Sequence, residues 1–325
     1  MKEKILKLLQ ETDGFLSGQE ISEKFGVSRT SIWKAIRQLE EMGYEIEAVR
    51  NKGYRLCSEP DLLSEERIRP FLHTDWAASE IRVFDSVDSS NSEAKRAAEN
   101  GAAHGLLIIG EQQTAGRGRR GKAWDSQKGE GIFMTLLLKP DLEPGNASML
   151  TLVMGMAVRD ALKTVAGLDA WIKWPNDIVC DGKKICGILT EMSAQIDYIN
   201  HIVIGVGINV HNREFPKEVR HVAASIYQQT GRQIRRAPLI AEIMNRFEEY
   251  YARYLKTQNL SELKEEYNAH LINRGRRVRV CDIKEDFTGT AWGINERGEL
   301  LVETEDGMVT VSAGEVSVRG VYGYV

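Results

Sequence analysis

The chain has 325 residues, 42% of them hydrophobic, and a net charge of −4. That length is a prior for two or three domains, and the apolar share excludes a disordered chain. The mild acidity excludes a molecule that binds polyanions over its whole surface, so a nucleic-acid role would fall to a local basic face.

Residues 1–10 mix lysine and glutamate with apolar residues, which reads as an amphipathic helix and not a signal peptide. Ile5, Leu8 and Leu9 give it helical spacing. Ser17 followed by Glu20 is a capping box that opens a second helix, stopped at Gly26. Ser28 is an N-cap for a third, where Ile32, Ile36 and Leu39 form one buried stripe and Gly43 ends the helix. Two short strands, 44–50 and 53–56, follow around Asn51-Lys52. Together these elements predict a winged helix-turn-helix over residues 1–58. The polar stretch 57–66, with Pro60, reads as a linker.

Residues 66–272 alternate strands (105–109, 132–138, 185–192, 198–210) with helices (91–100, 147–165, 238–254). Neighbouring strands often lack a helix between them, so an α+β core with a mixed sheet is expected and not a doubly wound one. From residue 273 to 325 short β segments recur at 277–280, 288–292, 300–304 and 308–312, which predicts a small SH3-like β-barrel.

Cys57, Cys180, Cys186 and Cys281 fit no zinc pattern and read as reduced, buried thiols of a cytosolic protein. The six histidines are scattered, so no intrinsic metal is expected. No apolar run approaches the roughly 18 residues of a membrane span, and a cytoplasmic location is expected.

Three places carry chemistry. Between Lys24 and Leu39 lie four basic residues and no acid, which gives the third helix a positive outer face. Its first turn offers Ser28, Arg29, Thr30 and Ser31, and Lys34 and Arg37 follow. Such groups suit phosphates and base edges in a major groove; a solvated basic face on a small bundle is the plain alternative. Trp33 is expected to pack against the wing.

The second is Gly116-Arg117-Gly118-Arg119-Arg120-Gly121-Lys122, between a strand and Trp124. Glycines allow close backbone approach, and arginines grip phosphate or carboxylate in a bidentate fork. The combination describes a loop that folds over an anion, although it lacks Walker spacing. An RG-type RNA-binding segment is the alternative.

The third is a pair of strand ends. Lys173-Trp174-Pro175-Asn176-Asp177 is a turn, structural or functional. Lys183 reads as an exposed hairpin residue, and Lys184, beside an apolar strand, is placed to face a pocket. Gly205-Val206-Gly207-Ile208-Asn209 ends another strand; two glycines permit packing of a flat ligand, and Asn209 could meet a metal or phosphate oxygen.

Taken together, these residues resemble the biotin protein ligases, and the front domain narrows the resemblance to the bifunctional biotin operon repressors. It covers nearly the whole chain. GRGRRG with Trp124 and the KWPND turn carry it, and Asp88-Ser89-Ser90-Asn91 is similar to the family's DSTN segment with Ser90 in place of threonine. The resemblance implies that Ser89, Ser90, Asn91, Gln113, Arg117, Gly118, Arg119 and Lys184 contact biotin or its adenylate. It places Lys122, Asn176, Asp177 and Asn209 on the ATP and magnesium side. Lys122 stands where many relatives carry arginine, so charge is kept and the bidentate fork is lost.

The implied reaction joins biotin to the α-phosphate of Mg-ATP and then transfers it to a lysine of a biotin carboxyl carrier protein. Lys184, Arg119 and Asp177 are the expected catalytic residues, with Asp177 orienting the amine or accepting its proton. Operator DNA and a ligand-promoted homodimer are the other expected partners, and no membrane is. A ligand-sensing repressor without ligase activity would be expected to lose the arginine loop or Lys184; a lipoate-type ligase would not be expected to carry this loop behind a winged helix.

Overall fold

A computed structural model describes residues 1–196, 198–281, 286–314, 316–320 and 324–325. The chain divides into two compact units, Met1–Leu62 and Leu63–Val325.

The first unit holds helices α1 (Lys2–Gln10), α2 (Gly18–Phe25) and α3 (Arg29–Glu41), then strands β1 (Glu45–Val49) and β2 (Gly53–Ser58). The Ser17–Glu20 capping box is formed on both sides, and Gly26 takes the left-handed conformation that ends α2. Ser28 caps α3 through Ser31 N–H. Ile5, Ile21, Ile32, Ile36 and Leu39 meet in one small core. The wing depends on Gly53: its φ is +109°, and a Cβ there would lie 2.0 Å from the Leu16 carbonyl oxygen. That closeness lets Leu16 and Tyr54 exchange two backbone hydrogen bonds, at 2.8 and 2.9 Å. Strand β2 runs to Ser58, two residues beyond the expected end of the hairpin.

Two expectations need correction here. Trp33 does not pack against the wing: it is 51% exposed, with the Arg37 guanidinium 5.4 Å from its ring centroid. It follows Ile32, which faces the core, so the helical rotation of about 100° per residue turns it outward. Nor are all the cysteines buried, although all four are free: Cys57 is exposed on β2 and Cys281 half-buried.

The second unit opens with α4 (Glu65–Ile68) and is built on a seven-stranded sheet. In chain order its elements are β3 (Glu80–Phe84), α5 (Ser90–Glu99), β4 (Leu106–Gly110), β5 (Gly131–Leu138), α6 (Leu150–Ala161), β6 (Trp171–Lys173), β7 (Asp177–Cys180), β8 (Lys183–Ala194) and β9 (Ile199–Asn209). Helices α7 (Ile226–Thr230), α8 (Arg236–Thr257) and α9 (Lys264–Ala269) follow. The strand order is β3-β4-β5-β9-β8-β7-β6, with β3–β4 parallel and the other pairs antiparallel. The mixed sheet is therefore as expected. Strands β3, β6 and β7 had no signal: they span three to five residues, too few for a period to show.

One sheet face carries α6 and α8, and Ile240, Ile243, Phe247 and Tyr251 of α8 are buried against it. The other face packs Ala94, Ala97 and Ala98 of α5 on Ile108, Leu137 and Val203. At the head of α8 the guanidinium of Arg236, 1% exposed, meets the Glu111 carboxylate at 2.8 Å and donates to the Gly131 carbonyl at 2.9 Å. A buried charge is tolerated only when paired and hydrogen-bonded in this way.

The last region is a five-stranded antiparallel sheet of β10 (Arg277–Cys281), β11 (Phe287–Ile294), β12 (Leu300–Thr304), β13 (Gly307–Val311) and β14 (Ser317–Gly320), in the order β13-β12-β11-β10-β14. Its apolar residues, among them Val278, Ala291 and Leu300, join the same core as the central sheet. Trp174, fully buried, ties the two together by donating its indole N–H to the Gly298 carbonyl at 2.9 Å. Among the described residues no helix is long and apolar enough to cross a membrane.

Candidate ligand site on the central sheet

A cleft opens over β8 and β9, bounded by the start of α5 and by the 116–124 loop. Its floor exists because three strand positions lack side chains. A Cβ on Gly207 would come within 2.7 Å of the Trp124 indole, one on Gly187 within 2.9 Å of Lys184 Nζ, and one on Gly205 within 2.1 Å of Asn91 Oδ1. Gly187 and Gly207 face each other across the β8–β9 ladder, so their gaps add into one shallow bed.

The α5 end is a hydrogen-bond network. Ser90 N–H donates to Gln113 Oε1 at 2.8 Å, and Gln113 Nε2 donates to Ser126 Oγ at 2.8 Å. Thr135 Oγ1 lies 2.8 Å from Ser90 Oγ and 2.7 Å from Asn91 Oδ1. Asn91 Nδ2 donates to the Glu191 carboxylate at 2.8 Å, and Lys95 closes the chain at 2.6 Å from the other oxygen. Burial works against the Glu191 charge, but the hydrogen bonds from Lys95 and Asn91 outweigh it and hold that carboxyl below its usual range. Asp88 is turned elsewhere. It takes a bidentate grip from Arg96 at 2.7 and 2.9 Å, which lowers its carboxyl to about 2.

The glycine–arginine loop folds on itself: Trp124 N–H donates to the Gly116 carbonyl at 2.9 Å and Gly118 N–H to the Lys122 carbonyl at 2.7 Å. Arg117 and Gly118 line the cleft. Arg119 lines it too, yet most of its donors point outward. One Nη reaches Asn176 Oδ1 at 2.9 Å, and the other reaches the Ala313, Gly314 and Val316 carbonyls at 2.8, 2.5 and 3.1 Å. Lys122 is exposed and does not line the cleft.

The β6–β7 turn lies behind the opposite wall. Asn176 lines the cleft and donates to the Ile188 carbonyl at 3.1 Å. Lys184, on β8, is held through its backbone by Val222 and Ala224, and its Nζ stands 5.2 Å from the Trp124 ring centroid. Asp177 is buried behind Lys184 and does not line the cleft; its Oδ1 is 2.5 Å from Lys184 Nζ. Asn209 is buried as well, its amide donating to the Ala224 carbonyl at 3.0 Å. Among the described residues no cluster of His, Cys, Asp or Glu is placed to hold a metal ion.

Sequence reasoning named Ser89, Ser90, Asn91, Gln113, Arg117, Gly118, Arg119, Asn176 and Lys184, and all of them line this one cleft. It missed Thr135, Glu191, Phe133 and Gly187. Thr135 had a signal, as the single polar residue in an otherwise apolar strand, and so did Gly187, as a glycine inside one. In the first unit Ser28, Arg29, Thr30, Ser31, Lys34 and Arg37 are all exposed on α3, whose buried face is Ile32, Ala35, Ile36 and Leu39.

A glycine bed under an aromatic ring, with cations at its rim, makes a site for a flat anionic ligand, here in a chain that also carries a winged helix. Profiles of known families agree region by region: HTH domain over residues 2–55, Biotin/lipoate A/B protein ligase family over 83–209, and Biotin protein ligase C terminal domain over 275–319. The chain is 40% identical to the bifunctional ligase/repressor BirA of Bacillus spizizenii over 94% of both chains, and 39% identical to that of Bacillus subtilis over 95% of both. It is similar in structure to the biotin protein ligase from Aquifex aeolicus in complex with biotin and ATP, with a TM-score of 0.67 at 30% identity, over 74% of this chain and 99% of that one. The chain therefore belongs to the biotin protein ligases, in the branch of the bifunctional ligase/repressors.

Proposed function

We propose that the chain activates biotin as biotinyl-5′-AMP, using Mg-ATP, and transfers it to a lysine of a biotin carboxyl carrier protein. The observation that supports this best is the placing of Lys184: a partly exposed ammonium, fixed by Asp177, at the rim of the glycine bed. In the first step a biotin carboxylate oxygen attacks the α-phosphorus and pyrophosphate leaves. In the second the carrier amine attacks the acyl carbon, AMP leaves, and the amine loses a proton. No enzyme nucleophile is needed. Catalysis comes from bringing two anions together and neutralising their repulsion, the work of Lys184 and Arg117, with magnesium arriving on the nucleotide. Ser89, Ser90, Asn91 and Gln113 give the polar end of the biotin site. In this reading Asp177, buried behind Lys184, acts by holding that ammonium in place. Pyrophosphate release that requires both biotin and ATP supports the proposal, and release indifferent to biotin defeats it.

The winged helix makes the same chain a repressor of biotin genes, with biotinyl-5′-AMP as corepressor. The four basic groups between Lys24 and Leu39 give one copy a weak, salt-sensitive hold on DNA, so two copies on one operator are needed. Adenylate that orders the 116–124 loop gives the ligand different affinities for two states, as regulation requires. Ordered cores then pair with each other, or one meets the carrier protein. Biotin with ATP should raise both the dimer fraction in sedimentation and operator affinity in gel shifts, and excess unmodified carrier should reverse both. Operator affinity that ignores biotin and ATP defeats the coupling and leaves the ligase proposal standing.

A further inference from the structure

Lys173 and Tyr324 belong to none of the roles above, yet they surround the residue on which Lys184 rests. Asp177 has three partners. Its Oδ1 is 2.5 Å from Lys184 Nζ; its Oδ2 accepts from the Tyr324 hydroxyl at 2.5 Å and lies 3.8 Å from Lys173 Nζ. Lys173 is 4% exposed, and its ammonium stands 4.2 Å from the centroid of the Tyr324 ring. One tyrosine thus binds the anion through its hydroxyl and covers a cation with its face. Its neighbour Val325 lies against the turn between β7 and β8, 3.4 Å from where a Cβ on Gly182 would stand. Tyr324 follows β14 in the chain, so a residue from beyond the C-terminal sheet closes a network that begins at the cleft rim. Burial, with Asp177 adding to it, lifts the Tyr324 hydroxyl far above the usual phenol range, so it remains a proton donor.

We infer that Tyr324 is a positioning residue for the ligase reaction: it fixes one oxygen of Asp177 so that the other holds the Lys184 ammonium at the cleft rim. The inference rests on the ligase reading above. Without the hydroxyl, Asp177 is free to rotate toward Lys173, and Lys184 loses its set place. A cation misplaced by about an ångström costs far more in rate than in ground-state binding. Lys173 is the counterweight. It keeps Oδ2 occupied from the other side and makes the carboxylate a bridge between two cations.

Tyr324→Phe tests this, because the ring over Lys173 stays and only the hydroxyl goes. Wild-type protein is assayed first for biotin-dependent pyrophosphate release; failure there overturns the ligase reading itself. Given wild-type activity, Tyr324→Phe should lower kcat for adenylate formation by about fivefold to tenfold, with KM for biotin nearly unchanged and the protein still fully folded at the assay temperature. In single-turnover assays on an Asp177→Asn background the same change should cost less than twofold, since the carboxylate it acts through is gone. An unchanged kcat overturns the inference. So does a loss of full size in the Asp177→Asn background, or one matched by a fall in folded fraction, either of which makes the tyrosine a packing residue only.

Discussion

The Lys184 ammonium and the Asp177 carboxylate lie 2.5 Å apart, one at the rim of the cleft and the other buried behind it. Burial alone would favour a neutral Asp177, but the charges of Lys184 and Lys173 and the hydrogen bonds from Lys184 and Tyr324 outweigh it and hold the carboxyl below its usual range. The carboxylate holds the ammonium as a fixed charge at the start of β8, with no reorganisation needed when a phosphate arrives.

Lys184→Ala should therefore reduce adenylate formation by roughly 10²-fold or more, the order lost with one such electrostatic group. The fold should persist, because Lys173 and Tyr324 still neutralise the buried carboxylate. Pyrophosphate release at near wild-type rate in the variant would remove Lys184 from the mechanism.

Arg119 joins the glycine loop to the connection between β13 and β14 through three carbonyl oxygens. Replacing it by glycine should free the loop without emptying the cleft, since Arg117 and Lys184 remain. Arg119→Gly should make the adenylate and then release it, so that unrelated lysines become biotinylated. Labelling of albumin added as a bystander measures this; labelling confined to the carrier argues against a retaining loop.

Two glycines, one in the bed and one in α6, should respond in opposite ways to alanine. Gly205→Ala drives a methyl to 2.1 Å from Asn91 Oδ1 and should destabilise the protein by about 1–3 kcal/mol while weakening biotin binding. Gly155, inside α6, has nothing nearer than 3.8 Å, and Gly155→Ala should gain about 0.5–1 kcal/mol from helix propensity. Urea unfolding of the two variants reads both, and a Gly205→Ala protein as stable as wild type contradicts the described packing.

How far the sequence carried this site depended on what kind of contact each residue makes. Residues that act through the backbone or short range were legible: the Ser17–Glu20 box, the Ser28 cap, and the glycines of β9. The lining of the cleft was legible through the motif resemblance. Residues tied by long-range contacts were not. Glu191 reaches Asn91 across 100 positions and Tyr324 reaches Asp177 across 147, and no local pattern encodes such pairs. Trp33 misled for a different reason: a large aromatic is read as core by default, and only its phase on α3 turns it to solvent.

Burial pushes the Lys173 ammonium down to about 8 against the pull of Asp177, with Lys184, Arg319 and Arg119 adding to the fall. Its ordinary value is 10.5, so between those two values the unfolded chain holds the extra proton. Stability should therefore rise with pH across that window. Comparing wild type with Lys173→Met in denaturant at several pH values cancels the other groups. Their difference should shift in favour of wild type from about pH 8 to 10, and a difference that stays flat means that Lys173 keeps an ordinary affinity for its proton.

The most direct test of the ligase proposal uses the intact chain, a biotin carboxyl carrier domain and Mg-ATP. Biotin and lipoate are offered in separate tubes, and the carrier is weighed by mass spectrometry. The account predicts one biotinyl group on a single carrier lysine, AMP formed in equal amount, and no adduct from lipoate. An unmodified carrier, or one that takes lipoate in preference to biotin, contradicts it.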